Sequence, residues 1–327
     1  MKTIAITMGD PAGVGPEIIA KSITNPEIQK TGRLIIVGSI DVMQEAMKLT
    51  GSLFRMNQVS SPAQADPSPG AVNIIDPGIK TEIVRNMPSA ESGRASVACI
   101  ERAVDLALKG EVDAVVTAPI SKEALKMAGY PWPGHTEMIA EKCGIRDYAM
   151  MLIGGPLRVV LVTIHTAIRN VPGLIRQDAV LKTIRLAKKA ADMLSIREPK
   201  IAVAGLNPHS GEGGIFGTEE IEEIRPAVDA AVLEGLPVSG PYPPDTIFHK
   251  AYRGEVDIIV CMYHDQGLIP LKMICFDTGV NITVGLPIIR TSPDHGTAYD
   301  IAWKGLARPS SMAEAIRLAA GLKRLNA

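Results

Sequence analysis

The chain has 327 residues, 46% hydrophobic and 21% charged, which suits a water-soluble protein of one large or two medium domains. Its formal net charge of -1 excludes the basic footprint of a nucleic-acid binder or of a protein held on an anionic membrane. An anionic substrate would need a local cluster of Lys, Arg and backbone N–H groups.

Strand-like and helix-like patterns alternate along the chain. KTIAITM reads as a first strand, and a loop then leads into a helix opening at GPEIIAKS, with Pro16 suited to the first helical turn. RLIIVG is a strand and DVMQEAMKL has helical spacing. The stretch SSPAQADPSPG, Ser60 to Gly70, reads as a surface loop. From Glu91 to Lys109 the spacing predicts a helix with Val97, Ile100, Val104 and Leu108 on one face. DAVVTAP is a buried strand, and SKEALKMAG is a capped helix closed by Gly129. Tyr148 to Ile164 reads as two strands joined at Gly154-Gly155-Pro156, and Asp178 to Leu194 as a helix with basic residues on its exposed side. IAVAGL, a helix from Thr218 to about Glu234, VDIIVCMY and a closing helix from Ser311 to Leu325 complete the alternation. This order predicts an α/β fold with a mainly parallel sheet.

Two function classes drop out. The longest apolar stretch, Met150 to Ile168, is broken by Gly154, Gly155, Pro156, Arg158 and His165, so no membrane span is expected. Cys99, Cys143, Cys261 and Cys275 form no CxxC pair and lie in apolar or helical contexts. They read as reduced thiols of a cytoplasmic protein, not as nucleophiles or ligands. MKTIAITMGDPAG lacks the length of a signal sequence.

Three histidines carry the chemical signal. His165 in VTIHTAIR, His209 in LNPHSGEGG and His264 in MYHDQG each follow an apolar stretch that reads as a buried strand. Open α/β sheets place ligands at strand ends, so the three imidazoles could converge on one site. Three neutral imidazoles leave a divalent cation (Zn, Mg, Mn or Co) with positions open for substrate. A metal-assisted enzyme is the reading this favours. GDPAGVGPEII and GEGGIFG both depart from G-x-G-x-x-G, and no Walker-A pattern occurs.

The first loop and the stretch DHGTAYDIAWKG resemble motifs of the β-decarboxylating dehydrogenases related to isopropylmalate and isocitrate dehydrogenase. In those enzymes the second loop wraps the adenosine end of a dinucleotide. The resemblance assigns cofactor-binding positions to His295, Gly296, Thr297, Ala298, Asp300 and Ile301, with Tyr299 where those enzymes carry Pro. A carboxylate such as Asp300 accepts from a ribose diol and repels a 2′-phosphate, favouring NAD over NADP.

From end to end the chain is similar to the 4-hydroxythreonine-4-phosphate dehydrogenase family, through MGDPAGVGPEI, TAPISKEAL, PGHTEMIA, GLNPHSGEGG, PPDTIF, MYHDQG, GVNITVGLPIIRTS and DHGTA. The resemblance implies an isopropylmalate dehydrogenase-like fold: two α/β/α subdomains with a cleft between them, residues 1–130 plus 285–327 and residues 131–284. It implies a homodimer with shared active sites and His165, His209 and His264 as metal ligands from both subunits. It further implies substrate contacts at His135, Thr136, Lys272, Asn281 and Arg290. Lys272 and Arg290 offer charge to a phosphate or carboxylate. Asn281 offers donor and acceptor, and His135 and Thr136 sit at a helix start suited to an anion. Lys272, Asp245 and Asp265 are the candidates for the general base, and either aspartate could instead orient a ligand imidazole.

The implied reaction is NAD- and metal-dependent oxidation, with decarboxylation, of a small 4-phosphorylated hydroxy acid. GIFGTEE and YDIAWKG resemble a paralogous branch acting on threonate or erythronate 4-phosphate, in sugar acid catabolism. The alternative substrate is 4-phosphohydroxythreonine, on the pyridoxine route. Two readings from other classes remain: a metal-dependent hydrolase or isomerase without NAD, and a non-catalytic phosphoacid-binding protein.

Overall fold

The structure, a computed structural model, describes residues 1–68, 70–79 and 83–325; Pro69 of the low-complexity stretch lies outside them. Among the described residues the strands in chain order are β1 Thr3–Thr7, β2 Arg33–Val37, β3 Arg55–Gln58, β4 Ala71–Ile75, β5 Ala114–Thr117 and β6 Ala149–Gly154. The others are β7 Leu157–Leu161, β8 Ile201–Ala204, β9 Val238–Tyr242, β10 Ile258–Cys261, β11 Val280–Val284 and β12 Ile289–Pro293. Helices alternate with them, giving an α/β fold. The chain divides into two compact units, Met1–Arg146 with Leu286–Arg324, and Asp147–Gly285 with Leu325.

In the first unit the strand order is β3-β4-β2-β1-β5-β12, and every pairing is parallel. A parallel sheet is covered on both faces, so its central strands are apolar throughout rather than alternating. Ile4, Ala5, Ile6, Val115 and Val116 are accordingly buried without exposure. The helix Ala90–Leu108 buries Val97, Ile100 and Val104 as its spacing predicts, but Leu108 is exposed and Leu106 is buried instead. Leu108 is the last helical residue, and the chain turns away at Gly110 with φ 73°. The helix opens on a reciprocal cap, Ser89 Oγ accepting from the Ser92 N–H and Ser92 Oγ from the Ser89 N–H.

In the second unit the order is β11-β6-β7-β10-β8-β9. β6 and β7 form the antiparallel hairpin expected at Gly154-Gly155-Pro156, and β11 pairs antiparallel with β6. β7, β10, β8 and β9 run parallel. The core gathers Leu152, Val159, Ala202, Ile259 and Leu271. The helix expected from Thr218 to about Glu234 is present, with a π segment, Glu220–Ile224, running directly into the α-helix Arg225–Leu233. Pro226 has no N–H to give to the α ladder, and the change from π to α pattern falls beside it. The closing helix, Ser310–Gly321, stops short of the expected Leu325, with Leu322 extended after Gly321. Among the described residues no helix is long and apolar enough to cross a membrane.

Candidate functional site

His165, His209 and His264 follow β7, β8 and β10, three neighbouring parallel strands, at their carboxyl ends. The rings of His165 and His264 lie 5.8 Å apart, centroid to centroid. Two imidazoles sharing one cation at metal–nitrogen distances of about 2.1 Å have centroids roughly 5–6 Å apart, so this pair fits a shared ion. His264 Nδ1 is held at 2.7 Å by Asp265 Oδ1, an arrangement that would turn Nε2 towards any cation the ring met. His209 lies on the adjoining loop, its ring 6.3 Å from that of Phe216. Among the described residues, no three or more His, Cys, Asp or Glu side chains are gathered so as to hold a metal. One chain thus brings two of the three imidazoles together.

The His209 loop has an unusual backbone, with positive φ at every residue from His209 to Gly214. Such a run costs conformational energy and persists only where surroundings dictate it. Glu220, 3% exposed, supplies that control. Its Oε1 accepts from the N–H groups of Leu206 and Asn207, each at 2.7 Å, and its Oε2 accepts from Asn207 Nδ2 at 2.9 Å. Glu220 was invisible to sequence reading, since its partners lie 13 and 14 residues away and no periodic pattern links them.

The first unit holds a cationic centre. Arg290, 2% exposed, donates from Nε and Nη2 to Thr117 Oγ1 at 3.2 and 2.7 Å. Burial pushes its pKa down to about 10, opposed by the Glu137 carboxylate, so the guanidinium stays charged at neutral pH. His135 opens the helix His135–Lys142. Part of the residue is open, yet its Nε2 is fully covered and has no hydrogen-bond partner. Burial first, and the Arg290 charge second, hold its pKa well below the imidazole range, so the ring is neutral. Thr136 is the next residue of the same helix.

The opening and closing loops of the first unit are bound together. Val14 N donates to Thr297 O at 2.9 Å, and a Cβ at Gly13 would lie 2.9 Å from that oxygen, so only glycine allows the approach. Asp10, fully buried, accepts from the Ala12 N–H at 2.8 Å, the Tyr299 hydroxyl at 2.7 Å and Ser92 Oγ at 3.2 Å. Tyr299, standing where the dehydrogenases of the resemblance carry Pro, therefore locks the two loops. Asn86 Nδ2 donates to the carbonyls of Tyr299 and Ala302, and Arg85 stacks 3.8 Å from the Trp303 ring centre. Thr297 and Ala298 are half-buried, whereas His295, Gly296 and Asp300 are exposed on this braced loop. His295 Nδ1 sits 3.0 Å from Gly296 O. An exposed carboxylate on a rigid turn suits a ribose diol.

Of the remaining candidates, Lys272 is half-buried on the helix His264–Ile274, 6.0 Å from the Phe276 ring centre. Asn281 lies on β11, with a covered Oδ1 that has no hydrogen-bond partner. Asp245 is exposed in the first turn of the helix Pro244–Tyr252. Asp265 is exposed and engages His264 Nδ1 at 2.7 Å. Burial pushes the thiols of Cys99 and Cys261 up, removing both as nucleophiles.

The family model described as pyridoxal phosphate biosynthetic protein PdxA matches residues 30–319. The chain belongs to the PdxA family. It is 51% identical to a 4-hydroxythreonine-4-phosphate dehydrogenase of Trichlorobacter lovleyi, over 98% of this chain and 97% of that protein. It is 46% identical to a D-threonate 4-phosphate dehydrogenase of Pectobacterium atrosepticum, over 97% and 98%. A crystal structure of 4-hydroxythreonine-4-phosphate dehydrogenase from Klebsiella pneumoniae superposes with a TM-score of 0.90 at 43% identity, covering 98% of this chain and 97% of that one. PdxA membership accords with the family resemblance that the motifs carry.

Proposed function

We propose that the chain is an NAD- and divalent-metal-dependent dehydrogenase that oxidises the secondary alcohol of a four-carbon, 4-phosphorylated hydroxy acid, with loss of carbon dioxide. The observation that carries this reading is the set of three histidines at the ends of three neighbouring parallel strands, two with rings 5.8 Å apart. The names of the two curated relatives above, both dehydrogenases of 4-phosphorylated acids, support the reaction class. Both substrate names occur among them, at 51% and 46% identity, so identity alone does not choose between amine and hydroxyl beside the carboxylate.

His165, His209 and His264 would hold the cation, and the Asp300 turn with His295, Gly296, Thr297 and Ala298 would hold NAD. When bound, the cation supplies Lewis-acid polarisation of the hydroxyl and NAD supplies the hydride acceptor. The rest falls to the chain's own groups. Arg290 offers a permanent buried positive charge to a phosphate or carboxylate oxygen. His135, held neutral, offers Nε2 without competing for that anion as a second cation, and Thr136 adds a hydroxyl beside it. Asn281 Oδ1 is a covered acceptor awaiting a donor, and Lys272 serves either as an ammonium that binds the anion or, as the free amine, as the base. The hydroxyl proton goes to Lys272 or Asp245, since Asp265 is occupied with His264.

The active protein is a homodimer of the cytoplasm. A second copy completes the metal set that one chain leaves at two imidazoles. Exposed apolar side chains flank both sites: Ile215 and Phe216 beside His209, and Met273 and Phe276 at the end of the His264 helix. The test is chelation: the metal-stripped protein should lose NAD reduction and regain it on adding Zn or Co, and His165→Ala should not be restored. Full turnover by the stripped protein would eliminate the metal.

A further inference from the structure

One buried side chain ties the histidine loops to each other. Gln266, 8% exposed, accepts at Oε1 from the Met262 N–H at 2.7 Å and donates from Nε2 to Gly205 O at 2.7 Å. Met262 opens the turn that carries His264, and Gly205 opens the loop that carries His209. Met262 O in turn accepts from Thr163 N at 3.1 Å and Thr163 Oγ1 at 2.8 Å, at the root of the His165 loop. The Gly205 N–H donates to Tyr242 O at 2.8 Å, so both of its backbone groups are engaged.

The local sequence places the amide there. A Cβ at Gly267 would meet Leu161 at 3.1 Å and Cys261 Sγ at 3.2 Å, so glycine lets the first turn of the helix lie close against β7 and β10. That approach carries Gln266 in between the two loops. Both ends of the amide are used, a demand that glutamine meets and that glutamate or leucine does not. Glutamate would set an oxygen against the Gly205 carbonyl, and leucine would leave the Met262 N–H and Gly205 O buried without partners.

We infer that Gln266 is a positioning residue that, with Thr163, sets the spacing of the loops bearing His165, His209 and His264, and so tunes the affinity and geometry of their cation. The inference rests on the metal reading above. It needs no contact between Gln266 and the ion, because displacing the roots of the loops displaces the imidazoles.

The test is cobalt binding by the metal-stripped, full-length protein, followed by calorimetry and by the visible absorption of bound Co2+, with thermal unfolding run on each variant. Gln266→Leu should weaken Co2+ binding about 10- to 100-fold, the range typical of lost outer contacts to ligands, and should change the absorption bands. Thr163→Val, which keeps the backbone bond to Met262, should weaken it about threefold. It and Gln266→Glu carry the test if Gln266→Leu does not fold. Folded variants that bind Co2+ within twofold of the unsubstituted protein, with unchanged bands, would overturn the inference while leaving the metal centre standing. Failure of the unsubstituted protein to bind Co2+ would overturn the metal reading and the inference together.

Discussion

Tyr299→Phe removes one oxygen and leaves the ring in place. The lost hydroxyl is the 2.7 Å donor to Asp10 Oδ2, within a carboxylate that has no exposed surface. Burial raises the Asp10 pKa above its ordinary 3.8, and Tyr299 is the largest of the donors that hold it back. Asp10 therefore contributes stability fully below 3.8 and loses that contribution as pH rises through its folded-state value. Without the Tyr299 donor that loss deepens. A hydrogen bond to a charged group contributes about 1.5–3 kcal/mol, so roughly 2 kcal/mol should disappear near pH 7. In a unit of this size that corresponds to a melting temperature lower by about 4–8 °C. A protonated Asp10 needs the donor less, so the gap between variant and unsubstituted protein should shrink as pH falls from about 7 towards about 4. Paired melting scans across that range give the comparison. A gap that is constant with pH, or below about 1 °C near pH 7, would refute the role assigned to this bond.

Arg290→Met should raise KM for the phosphoacid and lower kcat/KM by roughly 10- to 150-fold, the value of a charged hydrogen bond; an unchanged KM in steady-state assays would remove Arg290 from substrate binding. Asp265→Asn should weaken the cation about 10- to 100-fold, because the carboxylate on His264 Nδ1 orients the ring and raises its basicity. A competition titration against a metal indicator measures this, and parity with the unsubstituted protein would show that the contact is ornamental. Asp300→Ala should narrow the preference for NAD over NADP, since the carboxylate repels a 2′-phosphate. If the ratio of the two efficiencies does not move, the cofactor lies elsewhere.

The strands that present the histidines were legible because parallel strands buried on both faces leave continuous apolar runs, as in VVLVTI and DIIVCMY. The short edge strand β3, RMNQ, escaped for the opposite reason: it is polar and half-exposed, with no apolar pattern to mark it. The two loops of the first unit were paired by their motifs, but the side-chain bond between them, Asp10 with Tyr299, spans 289 residues and leaves no local trace. Glu220 and Gln266 are likewise single polar residues whose roles exist only once distant backbone groups arrive beside them. The helix from Thr218 was legible as a whole, but its π segment, Glu220–Ile224, was not, because the apolar spacing does not distinguish π from α over one turn.

The decisive measurement is NADH formation by the metal-loaded protein supplied in turn with 4-phosphohydroxythreonine, threonate 4-phosphate and erythronate 4-phosphate. NADH is expected from at least one of the three, with turnover abolished in His264→Ala. The amine substrate would place the enzyme in pyridoxine synthesis, and a sugar acid phosphate in carbon catabolism. No NADH from any of them, with metal and NAD both in excess, would contradict the dehydrogenase assignment.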